Sequence, residues 1–309
     1  MIIHPIEKRV EKSYIQLSAT VEWKNVGPDN PENVWYNAPE VLWYRFPKKY
    51  ENLIAENHNG FLIPLVAMAM FFNEDIHVRG SVCETLIYNL REYQRILHFW
   101  APEAFQISKI TYESINDKDK LLKRRGVLSS YSGGIDSTYT LWSHTSENES
   151  LQDFQVTHAM YIIGFDTYTF VENKSTQNKK IQKFTEVTAT KNIEFIPIET
   201  NVFTFHQFDA GFKTPYTVAS TLASVAVFME NFIHHFYYSS DNITNIHEYS
   251  QIDTMSHQVV PYFSTQKITM SVCGASMNKL EKINAISSWH EIKKCLVCCF
   301  ESPHELKNC

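Results

Sequence analysis

The stretch Ser130-Tyr131-Ser132-Gly133-Gly134-Ile135-Asp136-Ser137 decides how this chain is read. An apolar run, residues 126–130, precedes it and a helix-like run, residues 138–144, follows it. That pattern predicts a strand, a tight glycine-rich turn and a helix. Adjacent glycines let the backbone turn sharply and approach a ligand with no Cβ in the way. Such a turn aims free N–H groups, and the positive end of the following helix, at its guest, which favours an anion. Backbone amides together with the hydroxyls of Ser130, Ser132 and Ser137 suit a pyrophosphate. Asp136 adds a carboxylate, which beside phosphate oxygens makes most sense holding Mg²⁺. No Gly-Lys-Ser/Thr follows, so this is not a Walker A loop.

Downstream the rhythm is strand, helix, strand. A polar stretch, residues 145–153, ends the first helix. Residues 156–163 are almost continuously apolar, as in a strand buried on both faces of a parallel sheet, and end in Gly164-Phe165-Asp166. Residues 174–191 read as a surface helix, and 193–198 as a third strand ending in Glu199-Thr200-Asn201. Residues 217–232 form a strongly apolar helix rich in small residues, suited to close packing on the sheet. A short fourth strand, 235–238, ends in Ser239-Ser240-Asp241. Ligands sit at the carboxyl ends of parallel strands, which makes Gly164, Asp166, Asn201, Ser239 and Ser240 pocket candidates. Each also reads as a plain turn or cap residue.

Upstream, residues 1–123 read as a separate N-terminal α+β module, with the second module running from 124 to 309. Residues 18–23 and 40–46 alternate apolar with polar residues, as half-buried strands do, with Pro28, Pro31 and Pro39 between them. Residues 52–72 are an apolar helical stretch. In 82–99, Leu86, Ile87, Leu90, Tyr93 and Leu97 recur at three- and four-residue spacing, an amphipathic helix. Residues 107–112 read as a further strand. Trp35, Trp43 and Trp100 read as core residues. This module carries no catalytic constellation and is a candidate for substrate recognition or homodimerisation. Residues 117–125, with five basic side chains, read as a solvated connector.

With 309 residues, 44% hydrophobic, the chain is long enough for two domains or one large one. A formal net charge of -6 gives no support for a general nucleic-acid-binding surface. Residues 1–9 lack a signal-peptide hydrophobic region. The longest apolar run, residues 60–72, falls short of the roughly 20 residues that span a bilayer. A soluble cytoplasmic protein is expected, with no membrane partner. Six cysteines at this length do not suggest a disulfide scaffold. Cys83 and Cys273 stand alone, while Cys295, Cys298, Cys299 and Cys309 crowd the last 15 residues.

The loop resembles the PP-loop, Ser-Gly-Gly-x-Asp-Ser, of the N-type ATP pyrophosphatases, matching at Ser132, Gly133, Gly134, Asp136 and Ser137. That family includes asparagine synthetase, GMP synthetase, tRNA-lysidine synthetase and 7-cyano-7-deazaguanine synthase. Further pieces look like a branch similar to 7-cyano-7-deazaguanine synthase with an extra N-terminal domain. They are Ala67-Met68-Ala69-Met70, Gly164-Phe165-Asp166, Glu199-Thr200-Asn201, Ile252-Asp253-Thr254-Met255-Ser256, and Gly274-Ala275 with Lys279, Glu281 and Lys282. The resemblance implies a Rossmann-like parallel sheet flanked by helices, of the adenine nucleotide alpha hydrolase-like kind. Such proteins often carry Arg near Lys279; Lys keeps the charge without the bidentate fork. Their tail usually continues from an Asn-Cys pair into a zinc knuckle. Here the resemblance implies at most an incomplete Zn²⁺ site at Cys298, Cys299 and Cys309, with Cys295 and His304 as further ligands, on a tail expected to be truncated.

The chemistry so implied uses ATP and Mg²⁺. Ser130, Ser132, Gly133, Gly134, Ile135 and Ser137 would bind phosphates, with Gly164 and Asp166 completing the nucleotide pocket. Asp136 would hold Mg²⁺, while Lys279 and Lys282 would neutralise charge at the phosphates. A substrate carboxylate or carbonyl would attack the α-phosphorus, pyrophosphate would leave, and a nitrogen or sulfur nucleophile would displace AMP. Asp253 and His257 are weaker candidates for substrate contacts. The nearest activity by resemblance converts a 7-deazaguanine carboxylate toward a nitrile or amide. Two rival readings are a tRNA-modifying enzyme, against which the acidic charge counts, and a regulatory module that holds nucleotide without turnover.

Overall fold

The computed structural model describes residues 1–26, 39–116, 125–163, 174–206, 218–240 and 256–296. The fold is mixed α/β, with a mostly parallel sheet flanked by helices. In chain order the elements begin with β1 (Ile2–Ile3), β2 (Glu7–Val10), β3 (Tyr14–Glu22), β4 (Val41–Pro47), α1 (Asn59–Phe71), β5 (Ile76–Val82), α2 (Glu84–Trp100) and β6 (Ile110–Ile115). They continue with β7 (Gly126–Ser130), α3 (Ile135–Ser143), β8 (His158–Ile163), α4 (Lys174–Ala189), β9 (Glu194–Thr200) and α5 (Val202–His206). The last are α6 (Val218–Phe228), β10 (Ile233–Ser239), α7 (Ser256–Val259), β11 (Thr269–Cys273) and α8 (Lys279–Ile286). No helix among the described residues is long and apolar enough to cross a membrane.

Two compact units result. The first joins Met1–Lys123 with Thr200–Phe232 and Gln258–Met270. The second joins Arg124–Glu199 with Ile233–His257 and Ser271–Cys309. The first unit therefore gathers two segments from beyond residue 123, among them α6, whose small-residue apolar pattern predicts packing on the parallel sheet instead.

Within the first unit, alternation builds the sheet. Ile15, Leu17, Ala19 and Val21 of β3 point inward and meet Phe46, Tyr44 and Leu42 of the antiparallel β4. On the other side β1 pairs antiparallel with β3 and parallel with β5, and β6 lies parallel to β5. Helix α2 buries Leu86, Ile87, Leu90, Tyr93 and Leu97, the stripe its spacing predicts. Helix α1 is buried from Asn59 to Met70, so it needs apolar cover all round. It finds much of that cover in α6, whose residues Ala219–Phe228 are buried too. Gly60 lets the pair approach, since a Cβ there would stand 2.2 Å from Phe228 Cε2.

Pro64 lies inside α1 and cannot donate to the Gly60 carbonyl. The Tyr44 hydroxyl donates to that carbonyl instead, at 3.1 Å. The helix begins at Asn59, later than the expected 52, because Asn57 turns its side chain onto the Asn59 N–H at 3.1 Å. The buried carboxylate of Glu230 explains why the later segments belong here. It accepts from Asn57 at 2.7 Å, Asn59 at 3.4 Å and Thr265 at 2.6 Å. Trp43 and Trp100 are half-buried rather than core, and Trp43 lies under the Arg45 guanidinium at 4.3 Å.

His206 is a second polar pin of this unit. Its Nε2 donates to the Pro64 carbonyl at 3.1 Å, and Nδ1 faces the Thr221 hydroxyl at 3.3 Å. Burial pushes its pKa down to about 4. The unfolded chain therefore binds a proton between about pH 6.5 and 4 that the folded chain refuses. Stability is full above that window and falls as pH drops through it, by up to about 3 kcal/mol for this one group. Urea unfolding at pH 7 and pH 4.5 should show the loss in the wild type and a smaller one in His206→Gln. Equal losses in the two proteins would remove His206 from the explanation.

In the second unit the strand order is β9-β8-β7-β10-β11. Strands β9, β8, β7 and β10 are mutually parallel. They bury apolar residues on both faces, such as Val127 and Leu128 of β7 and Tyr161 and Ile162 of β8, as a covered parallel sheet requires. Tyr131, Tyr161 and Phe195 pack around Phe184 of α4, with ring centroids 5.0 to 5.9 Å apart. Trp289 and Ile292 join the same core, and Cys295 sits at its edge with its thiol 3.5 Å from the Tyr131 hydroxyl.

Candidate functional site

Strand β7 lies at the centre of the second unit's strands, with β8 on one side and β10 on the other. The chain goes from β7 to β8 and β9 in one direction, then returns to place β10 on the opposite side. That reversal leaves a crevice at the carboxyl ends of β7 and β10, where open α/β sheets bind ligands. The loop 131–134 leaves β7 at this crevice, and Ser239 and Ser240 close β10 beside it.

Tyr131 anchors the loop. Its N–H donates to the Met160 carbonyl at 2.8 Å, and its ring is buried against Phe184. Burial holds the Tyr131 phenol well above its usual range, so it stays neutral. Gly133 has φ +80°, a left-handed conformation, and a Cβ there would stand 2.7 Å from Phe184 Cζ and 3.1 Å from the Cys295 carbonyl. Gly134 is different. Its φ of -74° suits any residue, and its nearest neighbour is Ser132 Oγ at 3.3 Å. Two serines brace the turn. Ser132 Oγ accepts from the Gly134 N–H at 3.3 Å; Ser137 Oγ accepts from the Ser132 N–H at 3.2 Å and donates to the Gly134 carbonyl at 3.1 Å.

Helix α3 starts directly after Gly134, which offers no side-chain cap. The N–H groups of Gly133, Ile135, Asp136 and Ser137 have no hydrogen-bond partner among the described residues. Helix termini leave such donors open, and here they converge with the positive end of the dipole. Ser239 Oγ, at the end of β10, is likewise buried without a partner among the described residues. Ser130 is buried at the end of β7.

One buried cation faces this anion-seeking end. Lys282 of α8 is 0% exposed, and its ammonium donates to Asp136 Oδ1 at 2.6 Å and to the Ser240 carbonyl at 2.7 Å. Asp136 remains 25% exposed, and its second oxygen, Oδ2, takes no hydrogen bond from a described residue. Helix α8 is held in place by a capping box, Glu281 N–H to Asn278 Oδ1 at 3.0 Å and Asn278 N–H to Glu281 Oε2 at 2.8 Å. Gly274 gives the lysine room, since a Cβ there would lie 3.2 Å from Lys282 Cε.

The structure thus brings Ser130, Ser132, Gly133, Gly134, Ile135, Asp136, Ser137 and Lys282 to one place. Lys279, at the first position of α8, is exposed. Asn201 is engaged elsewhere, bridging the Trp43 N–H and the Val41 carbonyl at 2.9 and 2.8 Å. Gly164, Asp166, Asp253, Cys298, Cys299, His304 and Cys309 lie outside the described residues, as does the side chain of His257. Among the described residues no three His, Cys, Asp or Glu side chains group as metal ligands. Ser240, a strand-end pocket candidate, and Gly274 act here through backbone geometry rather than through a side chain. What the fold and site define is a parallel α/β unit with a glycine-rich loop and open N–H donors at its switch point. The chain matches no family model, no curated protein and no solved structure.

Proposed function

We propose that the chain binds ATP at this loop and transfers AMP to a carboxylate or carbonyl substrate with release of pyrophosphate, as an N-type ATP pyrophosphatase does. The observation that carries the reading is the set of open N–H groups at the start of α3, set beside a partly exposed Asp136. The strand order supports it, since Rossmann-like nucleotide-binding sheets also reverse direction beside their first strand; on this proposal the unit is a Rossmann-like sheet of the adenine nucleotide alpha hydrolase-like kind. On this reading the pyrophosphate oxygens accept from Gly133, Ile135, Asp136 and Ser137, and the serines fix the turn that presents those groups. Lys282 places a positive charge where negative charge grows on the leaving group. Burial makes that charge count for more than it would in water.

The donor set also fits Mg²⁺, which prefers one or two carboxylates with phosphate oxygens, and Asp136 Oδ2 is the group that would hold it. Bound there, the ion would neutralise charge on the pyrophosphate. The substrate class that follows from the resemblance is a 7-deazaguanine-type carboxylate on the way to an amide or nitrile, in a cytoplasmic enzyme. The test is release of AMP and pyrophosphate from ATP and Mg²⁺ across a carboxylate panel that includes 7-carboxy-7-deazaguanine. Substrate-dependent release, lost in Asp136→Asn, is the expected result. ATP binding without release on any substrate would leave a regulatory nucleotide-binding module, and absence of ATP binding would end the proposal.

A further inference from the structure

In the first unit, α2 and the segment leading into β6 enclose a cleft of about 400 Å³. That volume lies in the range of small-molecule pockets. Three cations line it, Arg91, Arg95 and Lys109, and none of its lining residues is acidic. Neither the Arg91 guanidinium nor the Lys109 ammonium has an ion-pair or hydrogen-bond partner among the described residues. Arg95 meets Glu92 at 3.1 Å along the exposed face of α2, the kind of surface pair that holds a side chain only weakly.

The floor of the cleft is polar and built. Ser108 is 5% exposed, yet its hydroxyl has no hydrogen-bond partner among the described residues. Its own N–H is fixed by Gln94 Oε1 at 2.8 Å, and Gln94 is buried beside it. A buried hydroxyl without a partner is costly and rare, and a ligand oxygen at this position would satisfy it. The lip is apolar: Ile107 is 53% exposed and Tyr112 36%.

The geometry points to a binding site for a small phosphorylated molecule with a flat apolar body. The phosphate lies against Arg91, Arg95 and Lys109 and accepts from the Ser108 hydroxyl. Arginine forks match phosphate oxygens two at a time, and such charge-assisted bonds are the strong ones. The apolar body covers Ile107 and Tyr112. The small volume, the buried hydroxyl and the net charge of -6 favour one small anion over a nucleic-acid strand. This site shares no residue with the loop after β7 and stands whether or not that loop binds ATP.

Calorimetric titration of the full chain with phenyl phosphate tests it. Binding of one equivalent is expected, with phenol silent. Arg91→Gln/Arg95→Gln should weaken it at least about tenfold. Lys109→Gln and Ser108→Ala should each weaken it several-fold. The two arginines and Lys109 are exposed, so those variants should melt with the wild type. No binding of phenyl phosphate would overturn the inference, as would binding indifferent to the arginines. Displacement by a single-stranded oligonucleotide with a steep salt dependence would overturn it too, in favour of a nucleic-acid surface.

Discussion

Asp136→Ala is expected to lower the unfolding free energy by about 3 kcal/mol, the lower end of what breaking a buried ion pair costs. The reason lies with its partner. Lys282 is fully buried, and without Asp136 its ammonium keeps, among the described residues, the Ser240 carbonyl alone. Asp136 is itself a quarter exposed, which holds the loss below that of a fully buried pair. Two companions make the argument sharp. Asp136→Asn leaves an oxygen for the lysine to donate to and should be clearly milder. Asp136→Ala/Lys282→Met removes the stranded charge and should recover most of the loss, since replacing both members of a buried pair by apolar groups is often neutral. Urea unfolding of the four proteins decides it. A double variant as unstable as the alanine single would show that the pair's charge is not what matters. The same reasoning makes Asp136→Asn the better variant for activity, because it separates lost chemistry from lost folding.

The second large effect separates two adjacent glycines. Gly133→Ala should cost about 3 kcal/mol, from left-handed strain together with overpacking against the Phe184 ring. Gly134→Ala should cost under about 1 kcal/mol, because its backbone is ordinary and a methyl there meets only Ser132 Oγ at 3.3 Å. Its effect is expected in binding instead: on the proposed reading, a methyl on the residue from which α3 starts should crowd the phosphates and weaken ATP at least about tenfold. Paired melting and nucleotide titrations give both numbers. Gly133→Ala with wild-type stability would mean that the turn relaxes, and Gly134→Ala with wild-type affinity would place the phosphates elsewhere.

Much of the architecture was legible in the chain because it rests on local pattern. The run 126–130, the glycines and the amphipathic spacing of Leu86, Ile87, Leu90, Tyr93 and Leu97 each act within a few residues, so β7, its turn and α2 follow from sequence order alone. Strand β5 escaped notice because its alternation breaks at Gly80 and its partner β1 is only two residues long. The allegiance of α6 escaped for a different reason. An apolar helix announces that it will be covered, and only the close approach at Gly60 and the Glu230 network show that α1 and the 258–270 segment do the covering. The same division runs through the site. The loop's residue types announced an anion-binding turn, while Lys279 and Lys282 looked alike on paper. Tertiary packing separated them: the capping box at Asn278 fixes where α8 starts, which leaves Lys279 exposed at its first position, while Lys282, almost one turn further in, reaches 146 positions back along the chain to Asp136. Local chemistry is written in neighbouring residues, whereas a buried partner is chosen by whichever distant groups folding brings within hydrogen-bond reach.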